Sequence, residues 1–296
     1  MQMDMHHGKT RRTSGGVALV ALVALAGLTP DAASGQDVDG FTWENGTELS
    51  FVSTGGNASS TTLGLKSTFT GTGGPNTFKL EFGGIRGETT FRTLTATGTP
   101  TAFTVEETTD SELTAENYFV RSRYDRSLGT IFAFGGAGWD RNTFAGVQNR
   151  YSLVAGLGRA WVESETSRFK TDLGATYTIQ KDVAPAPGAD DSFAGLRLSV
   201  DAMRQLTESA GFTSVLVVDE NLDDTDDLRA DWTNALTVSI SQRLALKTSL
   251  QLLFDNQPSL LSVPLFDTGG TPVGTDVLTP SDEVDTVLTM TLVITL

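Results

Sequence analysis

No cysteine occurs in the 296 residues, and the only two histidines, His6 and His7, sit near the start of the chain. The first absence excludes disulfides, thiol catalysis and zinc–thiolate centres. The second leaves everything beyond residue 7 without the side chain that usually moves a proton near neutral pH. We therefore expect no enzymatic activity, no catalytic residue, no cofactor and no resident metal. Long apolar runs are also lacking, since none reaches the ~20 residues that a membrane-spanning helix requires. No window beyond residue 36 carries a convincing helical period. Positive charge is scarce: 21 Lys and Arg stand against 36 Asp and Glu, a formal net charge of −15. That balance speaks against a nucleic-acid partner.

The chain does begin with a recognisable leader. Lys9, Arg11 and Arg12 precede the apolar run Gly15–Leu28 and then the small residues AASGQ. A basic segment, a short apolar segment and a small-residue cleavage site make a secretory signal peptide. We assign residues 1–35 to this leader, cleaved after Gly35, and residues 36–296 to the exported domain. A twin-arginine signal is disfavoured, because the apolar residues expected directly after Arg11–Arg12 are missing. Both histidines leave with the leader.

Alternation with a period of two recurs through the rest. In the last segment, DTVLTMTLVITL, the bulky residues Leu288, Met290, Leu292, Ile294 and Leu296 interleave with Thr289, Thr291 and Thr295. The same pattern sets Phe169, Leu173, Tyr177 and Ile179 against Lys170, Asp172, Thr176 and Gln180. This is the strand period. About twelve strands follow, at 41–54, 60–70, 77–88, 116–126, 130–140, 146–161, 168–182, 193–206, 211–222, 228–242, 244–256 and 285–296. Most reach the ~9–11 residues that a tilted strand needs to cross a bilayer. Every second connection is short (71–76, 127–129, 162–167, 207–210 and 243). The alternate ones are mostly longer (89–115, 183–192, 223–227 and 257–284), with 55–59 and 141–145 the modest members. Short turns alternating with long loops are the habit of an outer-membrane barrel. The expected fold is all-β, an up-and-down antiparallel transmembrane β-barrel of about 12 strands, and a soluble calycin-like barrel is the distant alternative.

In such a barrel the apolar series faces lipid and the polar series faces the lumen, where an Arg or Lys escapes the ~2–4 kcal/mol cost of mid-bilayer exposure. The candidate lumen-lining residues are Arg121, Arg123, Arg150, Lys170, Asp172, Arg197, Asp201, Arg229, Asp231 and Lys247. Two readings stay open: opposite charges that pair and fill a narrow interior, or a ladder of Arg121, Arg123, Arg150, Arg197 and Arg229 lining a pore. Phe41, Trp43, Tyr118, Tyr124, Trp139, Trp161 and Trp232 fall near strand ends and suit interfacial girdles. Strands 130–140 and 211–222 are ambiguous in facing, and Arg159 sits on the lipid side, from which it must snorkel. Acidic clusters at 105–112, 188–191, 219–227 and 280–285 fall in or beside the long connections. None has the spacing of a calcium loop, so they are solvated loops, with divalent-cation binding the sharper alternative. Closure requires the last strand to pair with the first. A C-terminal strand of this kind is the segment read by the barrel-assembly machinery, although Leu296 stands where an aromatic residue is usual.

The stretch WENGTELSFVSTGGNASSTTLGLKST, through Trp43, Gly46, Gly56, Asn57, Thr61, Thr62 and Leu63, resembles the opening of the YdiY-like salt-induced outer membrane protein family (domain of unknown function 481). The central block resembles it through Tyr124–Asp125, Asp140, Phe144–Gly146, Arg150 and Gly156-x-Gly158. The resemblance covers residues 41–255. It implies a barrel in the outer membrane of a Gram-negative bacterium, in contact with lipid and lipopolysaccharide, and it carries no established activity or catalytic residues. Two functions remain: a channel for ions or small solutes linked to salt or osmotic adaptation, or a non-conducting structural or envelope-stress barrel. In the second, the acidic external loops bind cations, lipopolysaccharide or partners.

Overall fold

The structure, a computed structural model, describes residues 40–54, 58–99, 102–185 and 191–295. The expected leader and Leu296 lie outside them. The first half comprises β1 (Thr42–Thr54), β2 (Ala58–Gly73), β3 (Asn76–Thr99), β4 (Ala102–Leu128), β5 (Ile131–Asn142), β6 (Val147–Glu163) and β7 (Ser167–Asp182). The second comprises β8 (Ser192–Gln205), β9 (Ala210–Asn221), β10 (Leu228–Ser239), β11 (Leu244–Asp255), β12 (Leu260–Phe266), β13 (Pro272–Pro280) and β14 (Val284–Thr295).

Twelve of these close into one antiparallel barrel in the order β1-β14-β11-β10-β9-β8-β7-β6-β5-β4-β3-β2, while β12 and β13 pair only with each other. The seam is β1 against β14, with a ladder running from Gly46–Thr295 to Leu49–Leu292. The terminal strand therefore does find the first one. Closure removes the free edge that would leave backbone N–H groups unpaired in lipid.

The barrel is inside-out relative to a soluble domain. Among the described residues only Phe132, Phe134, Val147 and Ala235 are buried apolar side chains. The bulky residues of the alternating series face outward instead: Leu153, Leu157, Leu173, Leu236, Leu250 and Met290 are exposed, and Leu288 is 69% exposed. Their partners in alternation point in, so Thr176, Thr178, Ser199 and Thr291 are buried. Such an apolar jacket belongs against lipid rather than water. Aromatic residues crowd the outer face near the short-turn rim, where Phe41, Trp43 and Phe78 adjoin and Phe69 stacks on Phe82. Arg159 is exposed there too, its guanidinium 4.3 Å from the Trp161 ring centroid.

The short connections are two-residue turns at 74–75 and 129–130 and brief links at 164–166, 206–209 and 240–243. Gly74 (φ 56°) and Gly129 (φ 91°) supply the left-handed backbone that the two tight turns need. Two expected loops are not loops. The connection expected at 89–115 is strand: β3 and β4 stay paired from Asn76–Arg126 to Thr99–Ala102, with one bulge at Gly87/Glu88. The acidic run 105–112 thus rides on a projecting two-stranded ribbon. The connection at 257–284 likewise contains the β12–β13 hairpin.

Candidate functional site: the charged lumen

A cavity of about 630 Å³ occupies the barrel interior, and its walls come from β2 to β11 and from β14. Its lining reaches from Lys79 and Lys247, close to short turns, to Pro258, Ser259 and Ser281 at the opposite rim. Arg121, Arg123, Arg150, Arg197, Arg229, Asp231 and Lys247 line it, together with Lys66, Lys79, Glu81, Asp140, Asp219 and Asp255.

Nearly all of these cations hold a carboxylate. Arg121 donates from Nη2 to Asp140 (2.6 Å). Arg197 forms a two-point pair with Asp219, from Nε at 2.7 Å and from Nη2 at 2.9 Å. Arg229 donates to Asp227 (2.8 Å) and lies 3.3 Å from Asp255. Glu81 takes Lys79 at 3.0 Å and Lys66 at 3.6 Å. Lys247 donates to Glu48 at 2.8 Å. Two of the remaining expected residues sit nearer the short-turn rim, outside the main cavity lining: Lys170 pairs with Glu163 (2.8 Å) and Asp201 with Arg168 (3.0 Å). Asp231 receives its hydrogen bonds from neutral groups, Gln251 Nε2 and Thr233 Oγ1.

The direction of the pairs matters more than their number. Arg197–Asp219 and Arg229–Asp255 join directly facing residues of neighbouring strands. Arg121–Asp140 and Lys66–Glu81 likewise join adjacent strands, and Lys79–Glu81 lies within one strand. Among the described ion pairs, only Arg123–Asp172 and Lys247–Glu48 skip intervening strands. Most pairing therefore runs along the wall, while Arg123–Asp172 reaches past β5 and β6 and the Arg229–Gln180 hydrogen bond past β8 and β9. Among the described residues no side chain is fully buried, although Asp172 Oδ1, Asp227 Oδ1 and Arg229 Nε are shielded.

One side of the lumen is filled. Phe132 and Phe134 point inward, and each faces a glycine of β6, Gly158 and Gly156 respectively. A Cβ at Gly158 would collide with the Phe132 ring, and one at Gly174 would meet the Phe134 ring at 3.0 Å. This glycine floor lets Arg123 lie 4.0 Å from the Phe134 centroid while it donates to both Asp125 and Asp172 at 2.8 Å. Asp172 is 9% exposed, so that cation is what makes its burial tolerable.

Sequence reasoning missed several members of this site. Asp140, Glu81 and Glu48 share the inward parity of residues that were identified, and parity was signal enough to include them. Asp219 was hidden in β9, where Val215 and Val217 also line the lumen, so both faces of that strand are apolar. Gln180 was placed on the polar face without a role. Among the described residues, no group of three acidic side chains converges in the manner of a metal site.

A family model described as "Protein of unknown function, DUF481" matches residues 47–268. No curated protein matches the chain. Similar solved structures include an anion-selective porin from Comamonas acidovorans, at 10% identity and TM-score 0.37, covering 86% of this chain and 99% of that one. The NanC porin is similar at 11% identity and TM-score 0.41, with coverage of 86% and 97%. OmpT, an outer membrane protein of Vibrio cholerae, is similar at 8% identity and TM-score 0.37, with coverage of 89% and 100%.

Proposed function

The chain belongs to the DUF481 family, and from that premise we propose that this outer-membrane-type barrel is a water-filled channel for small ions and hydrophilic solutes, exported by its leader. The observation that carries the reading is the wall-parallel pairing. Most of its charges are neutralised along one strand or between neighbouring strands, around a cavity that eleven of the twelve barrel strands enclose. Such a bore would pass ions when external salinity changes, the role that the resemblance to salt-induced proteins implies.

The test is planar-bilayer conductance of the folded protein lacking residues 1–35, with the reversal potential taken under a salt gradient. Steady current steps are the expected result. Silence from barrels whose folding has been verified independently would overturn the proposal. It would favour the second reading, a non-conducting envelope barrel whose acidic loops bind cations, lipopolysaccharide or partners. One observation supports that alternative: Phe132, Phe134 and the Arg123–Asp172 pair occupy part of the lumen.

A further inference from the structure

Arg150 is the exception in this lumen. It lines the cavity with seven other Lys and Arg side chains, and each of those seven has a carboxylate oxygen within 4.0 Å. Among the described residues none pairs with Arg150. The nearest acid by register is Asp140, which faces it across the β5–β6 ladder. That carboxylate is turned to Arg121 instead, accepting from its Nε and Nη2.

Arg150 is nonetheless held in place. Its Nε donates to Gln180 Oε1 at 2.6 Å, from the facing position of β7. The Gln180 amide is itself fixed, because its Nε2 donates to Asp182 at 2.7 Å. The same Oε1 accepts from Arg229 Nη1 at 3.1 Å. A single neutral oxygen thus joins two guanidinium groups. Arg229 is neutralised by Asp227 and Asp255, so the uncompensated charge is that of Arg150. A guanidinium has five N–H donors in a planar fork, and among the described residues only the Nε of this one is engaged.

We propose that Arg150 is an oxyanion-binding point inside the lumen, taking the carboxylate, sulfate or phosphate group of a small solute through its Nη1 and Nη2 edge. Gln180 orients the fork, through the oxygen that it also presents to Arg229. A planar fork with both terminal nitrogens free matches two oxygens of such a group. The rim residues Asp282, Glu283 and Asp285 also line the cavity, so the site is a local stop for anions in a bore whose mouth is acidic. Its use in transport rests on the channel reading, whereas binding itself does not.

The experiment uses uniformly 15N-labelled full-length barrel in detergent micelles, titrated with sodium sulfate at constant ionic strength and followed by the arginine Nε–Hε resonances. A saturable shift of the Arg150 resonance is expected, assigned by its absence from Arg150→Gln. Arg243→Gln, which alters an exposed turn outside the lumen, should leave saturation unchanged. Gln180→Leu should weaken it while keeping the Arg150 signal. Bilayer conductance is measured on the same preparations. Saturation without conductance keeps the site and removes the channel. Conductance with only a linear, non-saturating shift, an adventitious ion only, overturns the site and keeps the channel. Equal saturation of the neighbouring Arg229 resonance in the parent and in Arg150→Gln also overturns it, and matching heat-modified gel mobility shows that the variants fold.

Discussion

Lys247 and Glu48 meet at 2.8 Å although 199 residues separate them, because the first lies on β11 and the second on β1. Between them runs β14, where Thr291 faces Lys247 and Val293 faces Glu48. The pair thus reaches over the terminal strand on its lumenal side, at the place where the first and last strands close the barrel. Both side chains are mostly shielded, at 21% and 18% exposure. Removing one partner leaves the other partly desolvated, which costs about 1–3 kcal/mol. We expect Lys247→Met and Glu48→Gln each to lower unfolding stability in urea by that order, and the double substitution to lose less than the sum of the two. Strict additivity in such a cycle would show that the clasp does not support the seam.

The glycine floor under the inward phenylalanines yields a second expectation. A Cβ at Gly156 would run into the Leu173 carbonyl oxygen and the Gly174 Cα, whereas a Cβ at Gly158 would meet the Phe132 ring and Asp172. The first obstacle is backbone of the facing strand and the second is mainly side chain. Gly156→Ala should therefore cost about 1–3 kcal/mol, the scale of overpacking. Gly158→Ala should be partly relieved in a Phe132→Leu background, and Gly156→Ala should not be. Denaturant midpoints of the four variants settle the matter, and equal rescue of both would contradict this packing.

The barrel was legible in the sequence because two independent periodicities agree: side chains alternate along each strand, and loop lengths alternate between strands. Inward charge followed from parity, as at Arg197 and Lys247. The ribbon at 89–115 was not legible, because its Thr-rich strands expose both faces beyond the barrel and show no apolar alternation. The β12–β13 hairpin was masked by Pro264, Pro272 and Pro280, which argue against a strand. Inward facing of Phe132 and Phe134 depends on glycines of β6 and β7 that only the register brings opposite. Nor could spacing show that Arg150 lacks a carboxylate. That turns on Gln180 facing it from β7 and on Asp140 selecting Arg121.

The two faces of β6 should respond oppositely to an added cation. Leu153 is 58% exposed on the outer side, whereas Val154, the next residue, lines the lumen. Leu153→Arg places a guanidinium in the apolar belt, and we expect a loss of about 2–4 kcal/mol for folding into lipid vesicles. Val154→Arg reaches water in the lumen and should cost much less. The same pair compared in detergent and in vesicles should separate most strongly in vesicles. If Val154→Arg proved the costlier one, the assignment of inside and outside would be reversed.

Arg197 and Asp219 neutralise each other through two hydrogen bonds on the lumenal wall. Arg197→Gln should therefore do more than delete a positive charge, because it releases a carboxylate into the bore. Arg229 faces Asp219 from β10, but it is already held by Asp227 and Asp255 and gives little compensation. In a conducting barrel the reversal potential under a salt gradient should move toward cation preference in Arg197→Gln and toward anion preference in Asp219→Asn. The double variant should return near the parent value. Both shifts should shrink toward 1 M salt, where the screening length falls to about 3 Å. A single conducting pathway along this wall demands opposite signs for the two substitutions. Shifts of the same sign, or none at all in a channel that still conducts, would place the ion path elsewhere in the lumen.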